Sequence, residues 1–131
     1  VGAPGVFGIN LVGDTYLFDV TDPAEAMQSA LVRAAEPTEH AEFGSAVALS
    51  SSLLVVGADA EDGAGSRDDG AVYAFGAEAG HPLLGVFRSN STAWTVQLGV
   101  SAAALDNIAA VGAPGESAGA IGNGGVVVIE R

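Results

Sequence analysis

Acidic side chains are concentrated in one stretch of this sequence, between residues 59 and 69. The stretch reads DAEDGAGSRDD and holds five carboxylates and two glycines. Proteins bind Ca²⁺ through about six to eight oxygen atoms of carboxylates, carbonyls and water on flexible turns. The loop therefore predicts a weak Ca²⁺ site, the only cofactor expected, with the ligands Asp59, Glu61, Asp62, Asp68 and Asp69. The same residues also suit a solvated surface loop in which Asp and Gly only form turns, and the sequence leaves both interpretations open.

Residues for acid–base or nucleophilic catalysis are not grouped in this sequence. His40 and His81 stand alone in polar connectors, and the chain has no cysteine to act as a thiolate nucleophile or ligand. The pair Asp68-Asp69 is flanked by glycine in a polar stretch, where nothing desolvates one carboxyl to make it the general acid of a glycosidase. We predict a protein that is not an enzyme.

Two further features bear on recognition. Trp94, Phe87 and Phe75 suit either a ligand-binding patch or packing on an outer strand, and packing is the commoner use of aromatic residues. Asn90-Ser91-Thr92 has the form of an N-glycosylation sequon, which matters only in a secreted eukaryotic protein.

Charge narrows the choice of partners. The 131 residues include four arginines, no lysine and sixteen carboxylates, for a formal net charge of −12. Such a chain repels nucleic acids and anionic membrane surfaces, because phosphate binding needs clustered Lys and Arg. Its acidity suits divalent cations or basic partners, and it also favours solubility. No apolar run reaches the roughly 18 residues of a membrane span, so we predict no nucleic-acid partner and no membrane insertion.

The segments that position these residues repeat along the chain. Val56-Gly57-Ala58 recurs as Val1-Gly2-Ala3 and as Val111-Gly112-Ala113, each 55 residues away. Phe43-Gly44 recurs as Leu98-Gly99 at the same distance. The same offset places Glu116 under Glu61 and Asn123 under Asp68. A fixed period of this size indicates a repeat array, in which each repeat is one supersecondary unit.

Short apolar runs between turn signals predict strands throughout. The predicted strands are residues 14–18, 28–33, 45–49, 53–58, 71–75, 83–88, 100–105, 108–113 and 126–129. Residues 24–35 contain good helix formers, but their place in the repeat favours a strand, and residues 93–97 suit either an outer strand or a connector.

Two features of these strands predict how they pack. Leu53–Val56 and Val126–Ile129 are apolar throughout, which predicts sheets covered on both faces. Small residues at Gly57-Ala58 and Gly112-Ala113 predict close backbone approach near a central axis.

With these residues in place, the sequence resembles the FG-GAP repeat. The resemblance rests on FGSAVA at residues 43–48, VGA at 56–58 and GAVYAF at 70–75, with VGAP at 1–4 and 111–114. Repeats of this family build the β-propeller head of integrin α subunits and of many bacterial and marine surface proteins. The resemblance implies an all-β fold, a partial and open β-propeller of four-stranded antiparallel blades. We expect a partial blade at 1–42, a complete blade at 43–97 and a partial blade at 98–131, fewer than the about four blades that a closed ring needs.

The resemblance also implies a function. We expect a non-catalytic binding or adhesion module, extracellular or at the cell surface, which presents loops to a protein or glycan partner. Because Val1 begins inside a repeat, we also expect contacts with the remaining blades of a longer chain or self-association. The alternative is a structural spacer or accessory region attached to an enzyme elsewhere in the parent chain.

The resemblance does not supply calcium ligands. The family's Asp-x-Asp-x-Asp calcium loop precedes the Val-Gly-Ala strand, and here that place holds Ser50-Ser51-Ser52 and Asp106-Asn107. The calcium prediction therefore depends on residues 59–69 alone.

Overall fold

The computed structural model describes residues 1–5, 12–36, 38–62, 68–89, 95–116 and 123–131. Within these ranges the regular secondary structure is entirely β-strand, in three antiparallel sheets. Apolar and β-branched runs bounded by turn residues favour this outcome. The predicted fold, an all-β open partial propeller, is confirmed. The described residues form no helix that is long and apolar enough to cross a membrane.

Each sheet is a meander in which a strand pairs with the next strand of the chain. Sheet 1 contains β1 (Gly2–Ala3), β2 (Asp14–Asp19) and β3 (Met27–Val32). Sheet 2 contains β4 (Val47–Leu49), β5 (Leu53–Ala58), β6 (Ala71–Gly76) and β7 (Leu83–Arg88). Sheet 3 contains β8 (Ser101–Leu105), β9 (Ile108–Ala113) and β10 (Gly125–Glu130).

The sequence repeat is visible in the pairing registers. Val47 pairs with Val56 in sheet 2, and Ala102 pairs with Val111 in sheet 3, 55 residues further on. After the loop that follows, the offset becomes 54, because Ala58 pairs with Ala71 whereas Ala113 pairs with Gly125. The predicted equivalence of Asn123 and Asp68 is therefore wrong by one residue, since Asn123 corresponds to Asp69.

The segment with helix-forming composition is a strand, as its place in the repeat predicts. β3 pairs with β2, with a register shift between Leu17 and Phe18. A turn leads into β3, because the Asp22 carboxylate accepts a hydrogen bond from the Ala24 N–H at 2.9 Å and the Asp22 carbonyl accepts one from the Glu25 N–H at 3.0 Å. Pairing with β2 thus overrides the helix propensity of this segment. Of the ambiguous segment 93–97, residues 95–97 belong to a connector, and 93–94 lie outside the described residues.

Sheet 2 lies between two buried apolar layers. The layer shared with sheet 3 takes alternate residues of the two inner strands: Leu53, Val55, Val72 and Ala74. The layer shared with sheet 1 takes the residues between them: Leu54, Val56, Tyr73 and Phe75. Full burial of one such side chain contributes about 1.5–3 kcal/mol, so these layers hold the sheets together face to face. The prediction that both faces of β5 are covered is confirmed.

The same prediction is wrong for β10. Val127 and Ile129 face the layer shared with sheet 2, but Val126 and Val128 are 67% and 66% exposed. An apolar run shows that a strand can be covered on both faces, whereas coverage itself depends on which sheet lies beside it.

Successive sheets also contact each other through an apolar residue followed by glycine, a dipeptide that we call the corner. The two corners are Phe43-Gly44 and Leu98-Gly99, and their glycines have φ of 98° and 104°, a conformation that side chains rarely adopt. A methyl group at Gly57 would lie 2.0 Å from the Gly99 carbonyl oxygen. The predicted close backbone approach at Gly57 is therefore confirmed, and the backbone that approaches it belongs to the corner Leu98-Gly99 of the following sheet.

Candidate functional site

The long loops of sheets 2 and 3 lie at one end of the arc, which we call the loop end. It comprises residues 59–70, 89–100 and 114–124, of which 63–67, 90–94 and 117–122 lie outside the described residues. Since β5, β7 and β9 all run toward this end, the segments that follow them meet there. The opposite end carries tighter turns, at residues 50–52, 77–82 and 106–107. Long loops on a sheet scaffold are the usual place for binding residues.

Glu61 is buried at the base of the acidic loop, with 1% of its surface exposed. Its Oε2 accepts a hydrogen bond of 2.6 Å from the Tyr73 hydroxyl, and its Oε1 pairs with the Arg88 guanidinium. A carboxylate is tolerated at such a depth only when it is paired and hydrogen-bonded. Burial, together with the hydrogen bond to Glu61, raises the pKa of Tyr73. Glu61 therefore has a structural role, and both of its oxygens are already engaged by the chain.

The backbone around Glu61 closes the loop. The Glu61 N–H donates to the Ala58 carbonyl at 3.1 Å, and the Gly70 N–H donates to the Glu61 carbonyl at 3.0 Å. Glu116 makes the same pair of bonds in sheet 3, with Ala113 at 3.1 Å and with Gly124 at 3.0 Å. The predicted equivalence of Glu61 and Glu116 is thus confirmed. Their side chains differ in partner, because Glu116 accepts a 2.5 Å hydrogen bond from the Ser89 hydroxyl.

The four aspartates of the predicted calcium site occupy different environments. The Oδ1 atom of Asp59 is buried and has no hydrogen-bond partner in the part of the chain that the structure describes. Asp62 is exposed, and its Oδ1 accepts a hydrogen bond from the Asp68 N–H at 3.2 Å. Asp68 is half-buried with a positive φ of 57°, and Asp69 is buried.

Asp68 and Asp69 connect sheet 2 to the segment that enters sheet 3. Their backbone carbonyls accept hydrogen bonds from the Gln97 and Leu98 N–H groups, both at 3.0 Å. The acidic loop is thereby attached to the second corner. With the Ser89–Glu116 bond, these contacts link the described parts of the loops of the two sheets.

Residues 59–62 and 68–69 contain no group of three or more acidic or histidine side chains arranged to hold a metal ion, and neither do the other described ranges. Residues 63–67, which complete the predicted site, lie outside those ranges. The calcium site remains a prediction.

The remaining candidates are dispersed. Phe75 belongs to the buried layer between sheets 1 and 2, where its ring lies edge-on to the Phe43 ring with 6.5 Å between the ring centres. Of the two predicted roles, ligand patch or packing, Phe75 therefore has the packing role. Phe87 is partly exposed on β7. The Nδ1–H of His81 donates a hydrogen bond to the Gly76 carbonyl at 3.2 Å. His40 is exposed, and Trp94 and the sequon 90–92 lie outside the described residues.

Sequence reasoning missed a groove between β3 of sheet 1 and, in sheet 2, the end of β6 with the turn after it. Its volume is about 750 Å³, and its walls include Leu31, Arg33, Phe75 and His81. Arg33 pairs with Asp14 at 2.7 Å, and this hydrogen bond lowers the pKa of Asp14. No local signal marks such a groove, because its two walls are about 45 residues apart in the chain.

Sequence reasoning also missed a motif in the second loop. Gly115-Glu116-Ser117-Ala118-Gly119 has the Gly-x-Ser-x-Gly spacing of a nucleophile elbow. That elbow depends on a strand–turn–helix context, whereas this stretch connects the antiparallel strands β9 and β10. Residues 117–119 themselves lie outside the described part of the chain. The context gives no support for a serine nucleophile.

Comparison with known proteins places one family in the middle of the chain. Residues 27–75 match the family model described as FG-GAP repeat. No curated protein matches the chain. The matched range begins with β3 of sheet 1 and ends within β6 of sheet 2. It contains all nine buried residues that the structure describes in the apolar layer between these two sheets.

Proposed function

We propose that this chain, in which residues 27–75 form an FG-GAP repeat, is a non-catalytic recognition module that binds a protein or glycan partner through its loop end. The observation that supports the proposal is the joining of neighbouring loops by hydrogen bonds. The backbone carbonyls of Asp68 and Asp69 accept hydrogen bonds from the Gln97 and Leu98 N–H groups. The Ser89 hydroxyl donates a hydrogen bond to the Glu116 carboxylate. Loops held on rigid sheets lose less conformational freedom on binding than free loops do, which favours affinity.

Charge favours a basic partner surface. The net charge of −12 raises the local concentration of cationic groups and speeds their encounter with the chain. Adhesion through such a surface suits an extracellular or cell-surface location, where FG-GAP repeats are typically found, and we propose that location for this protein.

The proposal is tested by binding the intact chain to panels of basic proteins and glycans. The double variant Asp62→Asn/Asp68→Asn removes two loop-end charges, and Glu25→Gln removes one charge from an exposed turn at the opposite end. We expect the double variant to weaken binding at least about fivefold and Glu25→Gln to leave it unchanged, with binding weaker at high salt. Equal effects of both variants would contradict a loop-end site.

We also propose weak Ca²⁺ binding by the acidic loop, with Asp59, Asp62, Asp68 and Asp69 as the main carboxylates. The buried Oδ1 of Asp59, which has no hydrogen-bond partner among the described residues, supports this, because a buried carboxylate oxygen is costly unless something satisfies it. Calorimetric titration with CaCl₂ should show millimolar affinity, as in weak extracellular sites. Asp59→Asn should abolish the heat, Glu25→Gln should keep it, and the absence of heat in the unmodified chain would refute calcium binding.

A further inference from the structure

The outer strand of sheet 1, β3, has one row of backbone hydrogen-bonding groups that no described strand uses. In β2, Tyr16 exchanges both of its backbone hydrogen bonds with Val1, at 2.8 Å from its N–H and 2.6 Å to its carbonyl. Because the Tyr16 backbone groups thus point away from β3, its register partner Leu31 turns its own N–H and C=O to the outer edge of the sheet. Residues 27–32 include neither a charge nor a proline that would block this edge. The edge can therefore accept a further strand.

The groove of about 750 Å³ between sheets 1 and 2 lies beside this edge. Residues 29–33 form one of its walls, and Phe75, Ala77 and residues 79–81 form the other. A volume of this size is typical of sites that hold a ligand. When a peptide adds to a sheet as a strand, main-chain hydrogen bonds provide affinity and pockets for alternate side chains provide specificity. Both elements are present here, a free strand edge and a pocket next to it.

The charge of the groove differs from that of the rest of the chain. None of the described residues that line it carries a carboxylate, although the chain has sixteen. Its ionisable side chains are Arg33 and His81. Asp14 is paired with Arg33 itself at 2.7 Å. Glu78, which lies in the same turn as His81, is paired with Arg131 at 2.6 Å. The groove is thus a neutral to basic site on a strongly acidic molecule, and it suits a partner that brings a carboxylate.

Both basic side chains keep a polar atom for a ligand. The side chain of Arg33 is 64% exposed, and it binds Asp14 through Nε and Nη2, so Nη1 has no partner among the described residues. The hydrogen bond from His81 Nδ1 to the Gly76 carbonyl orients the ring and leaves Nε2 without a partner in the same part of the chain. Since a guanidinium binds carboxylates through charge-assisted hydrogen bonds, Arg33 can hold a second carboxylate.

We infer that this groove binds an extended peptide segment of a partner protein, which pairs antiparallel with β3 and places a carboxylate side chain at Arg33. Val32 packs in the layer shared with sheet 2, so the side chains of its neighbours Leu31 and Arg33 lie on the other face. A peptide residue opposite Leu31 shares that face and is a diagonal neighbour of Arg33, within reach of a long side chain. The residues on either side of it turn toward Phe75 and should be apolar.

This site is separate from the loop end, because the turn in its second wall belongs to the opposite end of the arc. The inference therefore does not depend on the proposed recognition function.

The probe is a fluorescein-labelled, capped peptide of sequence Thr-Val-Glu-Val-Thr, whose valines and threonines favour an extended strand. Fluorescence anisotropy with the full chain should show saturable binding. In antiparallel pairing, a glutamate opposite Leu31 exchanges both backbone hydrogen bonds with it, whereas the adjacent valines direct their N–H groups away. Methylation of the glutamate backbone nitrogen should weaken binding at least about tenfold, and methylation of the next valine nitrogen should leave it unchanged.

A double-mutant cycle tests the contact with Arg33. Arg33→Gln should weaken binding of the glutamate peptide at least about fivefold and leave binding of the matching glutamine peptide unchanged. Ala79→Trp fills the groove from an exposed position in its second wall and should abolish binding of both peptides. Ala103→Trp, at an exposed alanine of β8, is the matched control and should bind both as the unmodified chain does.

Four results would overturn the inference. A lack of saturable binding to the unmodified chain would exclude the peptide, and equal effects of the two methyl groups would exclude strand pairing. The same loss for both peptides in Arg33→Gln would exclude the carboxylate contact. A dimer in light scattering that Ala79→Trp dissociates would assign the edge of β3 to a second copy of the chain instead.

Discussion

The buried side chain of Glu61 shows how a structural residue can be mistaken for a metal ligand. Its position in an acidic, glycine-rich loop marks it as an oxygen ligand, and the sequence offers nothing to separate it from its neighbours. Its partners Tyr73 and Arg88 lie 12 and 27 residues away and meet it only when β6 and β7 pair beside the loop. Local composition therefore predicts where the carboxylates lie but not which of them the fold engages.

Removing the Glu61 carboxylate should destabilise the protein. Glu61→Ala leaves a buried tyrosine hydroxyl and the half-exposed Arg88 without their partner, and we expect a loss of roughly 2–3 kcal/mol in the free energy of unfolding. Urea denaturation measures this loss. Glu25→Ala, in an exposed turn, should stay within about 0.5 kcal/mol of the unmodified chain. A loss at Glu61 no larger than at Glu25 would show that the buried network contributes little.

At the scale of single elements, the bounds of strands that lie between clear turns can be predicted from the sequence. Whether a neighbouring sheet buries both faces of a strand cannot. Three strands have the predicted bounds: Leu53–Ala58, Leu83–Arg88 and Ile108–Ala113. The face of β10 was expected to be covered, and Val126 and Val128 are exposed. The sequence of a strand encodes its own pairing and polarity, whereas burial also requires a neighbour, which the strand does not encode.

The corner contact gives a prediction at this scale. Gly57→Ala would place a methyl group 2.0 Å from the Gly99 backbone oxygen, so the sheets must separate, and we expect a loss of at least about 2 kcal/mol in the free energy of unfolding. Gly85→Ala is the control, because its methyl group would meet only the Phe87 ring at 3.4 Å. That substitution should be neutral, or stabilising by about 0.4–1 kcal/mol through a less flexible unfolded chain. Thermal melting of both variants measures the difference. Similar losses of stability in Gly57→Ala and Gly85→Ala would argue against a tight contact at the corner.

In the whole molecule, sheets 2 and 3 are also joined at the end that carries the tight turns. The Ser50 and Ser52 hydroxyls each donate to the Asp106 carbonyl at 2.6 Å. Arg131 donates to the Ser52 carbonyl at 2.8 Å and pairs with Glu78 at 2.6 Å. The two sheets are thus fastened at both ends of their shared apolar layer.

The Glu78–Arg131 pair predicts a pH dependence. The hydrogen bond from Arg131 lowers the pKa of Glu78 from 4.5 to about 2. A carboxyl whose pKa is lower in the folded state stabilises the protein above its unfolded pKa and loses that contribution as pH falls through the folded value. The stability difference between the unmodified chain and Glu78→Gln should therefore shrink between about pH 5 and pH 2, in a series of urea titrations. The effect should be small because the pair is exposed, and a difference that does not change with pH would show that the pair does not form in solution.

The boundaries of the matched repeat carry a consequence for how such a chain changes in length. Residues 27–75 contain every buried residue that the structure describes in the apolar layer between sheets 1 and 2, together with one corner, and they cut through both sheets. The stretch of this chain that matches the family model is thus a joint between two sheets and not one whole sheet. Gene recombination that gains or loses one such unit carries each joint intact, so it can lengthen or shorten the arc without any interface having to evolve anew.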